Sequence, residues 1–101
     1  MLEIIEKLKG QGIMAAIIKR DGTVEGSNFN LPDSVESMAS YSFNIGDALL
    51  REAKDEATEF IITTASKNLI FRLIDSDNIL FSVITSKEQY EFYKSVVEPK
   101  E

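Results

Sequence analysis

The side chains best placed for chemistry in this sequence are Asp75, Asp77 and Asn78, in the stretch Asp75-Ser76-Asp77-Asn78. Oxygen ligands at such spacing open a calcium loop, but that loop needs a further oxygen ligand and then a glycine. Ile79 and Leu80 follow instead. The spacing therefore predicts a hairpin turn, which Asp and Asn favour because their side chains bond the nearby backbone. Asp21-Gly22 is also read as turn chemistry and not as a phosphate loop, since no glycine-rich helix start follows it. Lys19 and Arg20 precede that turn as an adjacent basic pair, with a solvated turn as the expectation. Arg72 lies in an apolar run, where it would meet a phosphate or a partner's acid, or pair with an in-sheet carboxylate; the pairing is expected. Tyr90, Phe92 and Tyr93 are assigned to packing, with an aromatic partner surface as the other reading.

The absences are as informative. The chain has no histidine and no cysteine. That removes the commonest general base, the commonest zinc ligand, thiolate metal sites and cysteine nucleophiles. Serines are plentiful, but no histidine is present to activate one. No catalytic residue, cofactor or metal site is assigned, and the chain is not expected to be an enzyme. With 11 basic against 17 acidic residues and a net charge of −6, nucleic acid and anionic membrane surfaces are poor partners. The acidic N-terminal stretch does not read as a signal peptide. The longest apolar run, Ile13 to Ile18, is far too short to span a bilayer. A soluble, cytoplasmic protein without membrane insertion is the expectation, built as one domain over residues 1–101.

The elements that must position these residues follow from periodicity. Leu2 to Lys9 repeats at helical spacing and is stopped by Gly10 and Gly12. GIMAAIIKR reads as a strand, turned by Asp21-Gly22 into TVEGSNF. Pro32 blocks that strand, and Asp33 with Glu36 has the layout of a capping box for a long helix reaching Lys54 or Asp55. Three apolar runs, EFIITTA, NLIFRLI and NILFSVIT, are separated by short polar turns and predict an antiparallel meander. Ser86 and Gln89 cap a last helix, which Pro99 ends. The predicted order is α-β-β-α-β-β-β-α. Four of the five strands are apolar on both alternating faces, a pattern of burial on both sides. The expected class is α/β (α+β), with a five-stranded antiparallel sheet between the long middle helix and the two terminal helices.

In this order and in three local features, the chain resembles the Roadblock family. The features are an apolar strand ending in KRDG, the helix SVESMASYSFNIGDALLREA, and the pair NLIFRLIDSDNILFSVIT before the final helix. The resemblance spans essentially the whole chain, although the first helix is shorter than in many members. It implies a homodimer in which the long helix packs antiparallel on its twin and the third strand pairs with its twin. It also implies a non-catalytic regulator or scaffold, often for small Ras-like GTPases.

Two features of the residues support a dimer independently. Val35, Met38, Ala39, Ser42, Phe43, Ile45, Gly46, Leu49, Leu50 and Ala53 fall within an arc of roughly 160°, wider than the ~100° a core-facing stripe needs. The opposite face is Glu36, Ser40, Asn44, Asp47, Arg51 and Lys54. Gly46 costs about 1 kcal/mol against Ala inside a helix, which suggests close backbone approach. The resemblance puts the sheet edges at the second and third strands. The second carries Glu25, Gly26 and Asn28, which discourage edge pairing; the third has no charge from Phe60 to Ala65. The expected dimer interface is Met38, Ser42, Phe43, Ile45, Gly46, Leu49, Leu50 and Ala53 on the helix with Phe60, Ile61, Ile62, Thr63 and Thr64 on the strand. The alternative is a small-ligand sensor domain of PAS or profilin-like type, with strand residues lining a cavity.

Overall fold

In a computed structural model, residues 2–30, 43–44, 46–48, 50–52 and 58–98 are described. The elements are α1 (Leu2–Lys9), β1 (Met14–Lys19), β2 (Val24–Ser27), the middle helix α2 (helical at residues 43–44, 46–48 and 50–52), β3 (Glu59–Thr63), β4 (Asn68–Leu73), β5 (Asn78–Ile84) and α3 (Lys87–Val97). The five strands form one antiparallel sheet in the order β2-β1-β5-β4-β3, so β2 and β3 are its edges. The predicted capping box at Asp33 and Glu36 lies outside the described residues.

Local chemistry sets the element ends. After α1 the chain closes in a Schellman motif: Ile13 N–H donates to Leu8 C=O and Gly12 N–H to Lys9 C=O. Gly12 has φ 74°, which a residue with a Cβ adopts only under strain. The β1–β2 hairpin has a three-residue loop, Arg20-Asp21-Gly22. Gly22 N–H donates to Lys19 C=O, Lys19 N–H donates to Thr23 C=O, and Gly22 takes φ 96°. Between β4 and β5, Asp75 Oδ1 accepts from the N–H groups of Asp77 (2.8 Å) and Asn78 (2.9 Å). Its Oδ2 accepts from Asn78 Nδ2 at 2.8 Å. The carboxylate is thus held by turn donors, which depress its pKa, the Asp77 backbone N–H contributing most. Ser86 caps α3, its Oγ accepting from Gln89 N–H at 3.1 Å.

The alternation of side chains builds two core layers. Ala15, Ile17, Ile70, Leu80 and Ile84 meet Ile5 and Leu8 of α1 and Tyr93 of α3. On the other face Ala16, Ile18, Phe71, Ile79, Phe81 and Val83 meet Phe43 of α2. Each such large apolar side chain contributes about 1.5–3 kcal/mol on burial. An aromatic row crosses the α2 face, with ring centroids 6.3 Å apart for Phe29–Phe81, 5.0 Å for Phe81–Phe71 and 5.7 Å for Phe71–Phe60. The three-layer arrangement read from the doubly apolar strands is therefore present.

Burial is uneven across the strands. β5, at the centre, is buried along its whole length. β3 is equally apolar in sequence but exposes Ile61 (44%) and Ile62 (41%), one on each face. Its predicted burial on both sides does not occur within one chain. The reason is position: an edge strand has one neighbour, and the described helices do not cover its outer half.

Candidate functional site

The free edge of β3 is defined by its register with β4. Glu59 pairs with Arg72, Ile61 with Ile70 and Thr63 with Asn68 in an unbroken ladder. Leu73 N–H donates to Thr58 C=O and Thr64 N–H to Lys67 C=O, so residues 58, 60, 62 and 64 bond towards β4. The N–H and C=O groups of Glu59, Ile61 and Thr63 consequently point outward, away from β4. No charged side chain interrupts Phe60 to Thr63. This is a flat template for another strand.

The opposite edge is blunted, but not by the residues expected. Gly26 sits beneath α1: a Cβ there would lie 2.5 Å from Leu2 Cδ2 and 3.4 Å from Ile5 Cδ1. Its role is to seat the helix. Asn28 turns inward, its Oδ1 accepting from Ala15 N–H (2.9 Å) and its Nδ2 donating to the carbonyls of Ile5 (2.8 Å) and Ile13 (3.1 Å). Of the three expected devices only Glu25 acts as a surface charge, 3.1 Å from Lys19 Nζ. A register shift in the β1–β2 ladder adds a further irregularity.

The basic pair at the hairpin also departs from expectation. Arg20 is not a solvated turn residue. Its Nη2 lies 2.6 Å from Asp47 Oδ2, its Nε donates to Asn44 Oδ1 at 2.8 Å, and its guanidinium sits 5.4 Å from the Phe43 ring centre. Asp47, only 4% exposed, also pairs with Arg51 Nε at 3.0 Å. Asn44 Nδ2 returns a bond to Arg20 C=O at 2.9 Å. Asn44 and Asp47, on the face of α2 opposite its apolar arc, are therefore docked on the β1–β2 turn. Hydropathy alone does not show a charged partner supplied from a turn.

Burial along the apolar arc of α2 is uneven. At 100° per residue Leu50 falls about 20° from Phe43 on the wheel. Phe43 is nevertheless buried at 1% exposure, while Leu50 is 40% exposed. A Cβ on Gly46 would meet nothing within 4 Å, so no contact among the described residues requires a glycine there. Among the strand residues expected at an interface, Phe60 is half-buried against Phe71, whereas Ile61, Ile62, Thr63 and Thr64 are exposed. Met38, Ser42, Ile45, Leu49 and Ala53 lie outside the described residues. Arg72 pairs with Glu59 at 2.8 Å, the in-sheet carboxylate expected of it. Among the described residues no group of three or more acidic, His or Cys side chains is placed to hold a metal. No helix there is long and apolar enough to cross a membrane. A groove of about 330 Å³ runs between the β3–β4 turn and the start of α3, lined by Lys67, Lys87 and Tyr90 among others.

The overall fold recurs in solved structures. The gliding protein MglB from Thermus thermophilus superposes with a TM-score of 0.79 at 15% identity, covering 96% of this chain and 82% of that one. A Roadblock/LC7 domain from Streptomyces avermitilis gives 0.73 at 16% identity, covering 97% and 92%. The chain has a Roadblock-type fold. Profilin IA from Acanthamoeba castellanii shares the layout more distantly, with a TM-score of 0.66 at 21% identity over 96% and 89%. No protein-family model matches the sequence, and no curated protein matches it.

Proposed function

We propose that the chain is a non-catalytic adaptor or regulator that works as a homodimer, and that the dimer binds a small Ras-like GTPase. The observation that carries the dimer is the pairing of two open surfaces. The outward amides of β3 lie beside exposed Ile61 and Ile62, and on α2 Leu50 is exposed while a Cβ at Gly46 would meet nothing within 4 Å among the described residues. Two-fold pairing of β3 with its copy would satisfy the first, and α2 against its copy would cover the second. The GTPase reading is supported by the Roadblock-type fold. The absence of histidine and cysteine supports a role in binding.

The test is molar mass in solution by size-exclusion chromatography with light scattering. A mass of twice 11.3 kDa is expected; a monomer at micromolar concentrations overturns the dimer. Titration against purified small Ras-like GTPases, in GDP- and GTP-analogue-bound states, tests the partner. Saturable binding that depends on the nucleotide supports it, and absence of binding to any of them overturns it.

A further inference from the structure

A polar cluster gathers at the start of the open edge strand, where core packing does not call for one. Glu59 Oε2 lies 2.8 Å from Arg72 Nη1 and accepts from the Tyr93 hydroxyl at 3.1 Å. Arg72 Nη1 also lies 3.2 Å from Glu98 Oε1, at the C-cap of α3. One carboxylate on the edge strand thus joins β4 to the last helix. Tyr93 is buried, and burial first, then the Glu59 charge, push its ionisation far up, so its hydroxyl remains a donor. Burial is the largest influence on Arg72 and opposes its charge, but the bond to Glu59 together with the neighbouring Glu59, Tyr93 and Glu98 outweighs it and raises the pKa. The Tyr93 ring alone would fill its place beside Tyr90; the hydroxyl adds only the tie to β3.

Glu59 has a double position. Its side chain is held on the α1/α3 face, while its own N–H and C=O point to the free edge. We propose that the Glu59–Arg72–Tyr93–Glu98 cluster is a latch through which α3 sets how readily the β3 edge accepts a second copy. This rests on the reading that a second copy pairs there. With the latch made, the carboxylate is folded back and paired, and the first residue of the edge is fixed. With it released, an unpaired carboxylate swings beside the outward backbone groups and the strand start frays, so pairing weakens. A ligand competing for Arg72 or Glu98 at the end of α3 would loosen self-association, and self-association would weaken that ligand by the same factor.

The experiment measures the dimer dissociation constant of the full chain by analytical ultracentrifugation, and amide exchange at Phe60 and Ile62, whose N–H groups bond β4. Tyr93→Phe removes the hydroxyl and keeps the ring. Gln89→Ala loosens the other end of α3, where Nε2 donates to Gln11 and Gly12 carbonyls, and leaves the cluster intact. Tyr93→Phe is expected to weaken self-association ~3- to 10-fold, the net scale of one ordinary hydrogen bond, and to speed exchange at Phe60. Gln89→Ala is expected to change neither. Equal effects from both variants, or no effect of Tyr93→Phe on exchange, overturn the latch. A monomeric wild type overturns the pairing reading instead; the exchange comparison then decides alone whether α3 fixes β3.

Discussion

The two edges of this sheet solve the same problem in opposite ways. β2 and β3 each have one free side, yet β2 is short, shifted in register, guarded by the Lys19–Glu25 pair and overlain by α1 at Gly26. β3 keeps an unbroken register and exposes an isoleucine on each face. The helix follows the same division. Its polar flank is bound to the β1–β2 turn through Arg20, Asn44 and Asp47, and its Gly46–Leu50 flank is open. A protein that blunts one edge with several devices and leaves the other plain has the means to protect both. The difference points to use of the open edge.

The largest effect is expected from a charge placed on that edge. Ile62→Lys should weaken self-association by roughly thirtyfold or more, the ~2 kcal/mol of a hot-spot residue. Val24→Lys on the guarded edge should leave it unchanged, and sedimentation of both variants checks the contrast. Gly46→Leu comes next. A Cβ at Gly46 would meet nothing within 4 Å among the described residues, so the single chain should gain roughly 1 kcal/mol of helix propensity. A packed second helix would instead be pushed away, weakening the dimer about tenfold, at the low end of overpacking costs. Chemical denaturation of dilute protein and sedimentation read the two effects separately.

Loosening the guarded side should act on stability. Asp47→Asn removes the charge between Arg20 and Arg51. A loss of about 1 kcal/mol in urea unfolding is expected, well below the cost of breaking a fully buried pair, because Arg51 is solvated. The smallest effect belongs to the β4–β5 turn, which joins two inner strands of the sheet. Asp75 is held below its ordinary pKa by turn donors. Its stabilisation is therefore complete above the unfolded carboxylate value and is lost as pH falls through the lower folded value. The melting temperature should fall on acidification, and Asp75→Asn, which cannot titrate, should show a slightly shallower fall.

Much of the fold could be read from residue pattern. The doubly apolar runs NLIFRLI and NILFSVIT implied the sheet and its two helical faces, because alternation reports burial directly. The Asp21-Gly22 and Asp75–Asn78 turns were legible from the chemistry of their side chains. What escaped was anything set by a distant partner. Asn44 and Asp47 read only as the face opposite the apolar arc, because their partner, Arg20, is 24 residues from Asn44 in the chain. Gly26 and Asn28 looked like edge devices because their contacts with α1 are tertiary. The Glu59 cluster was visible only as an expected partner for Arg72, with no sign that Tyr93 and Glu98 would join it.

Pairing of the open β3 edge with a second copy can be read at a single amide, that of Ile61, by following its exchange as a function of protein concentration. Its N–H points away from β4, so a single chain gives it no strand partner. Slow exchange is expected at high concentration and fast exchange on dilution below the dimer dissociation constant, with Phe60 protected throughout. Fast exchange at Ile61 in a sample shown by light scattering to be dimeric would contradict the pairing.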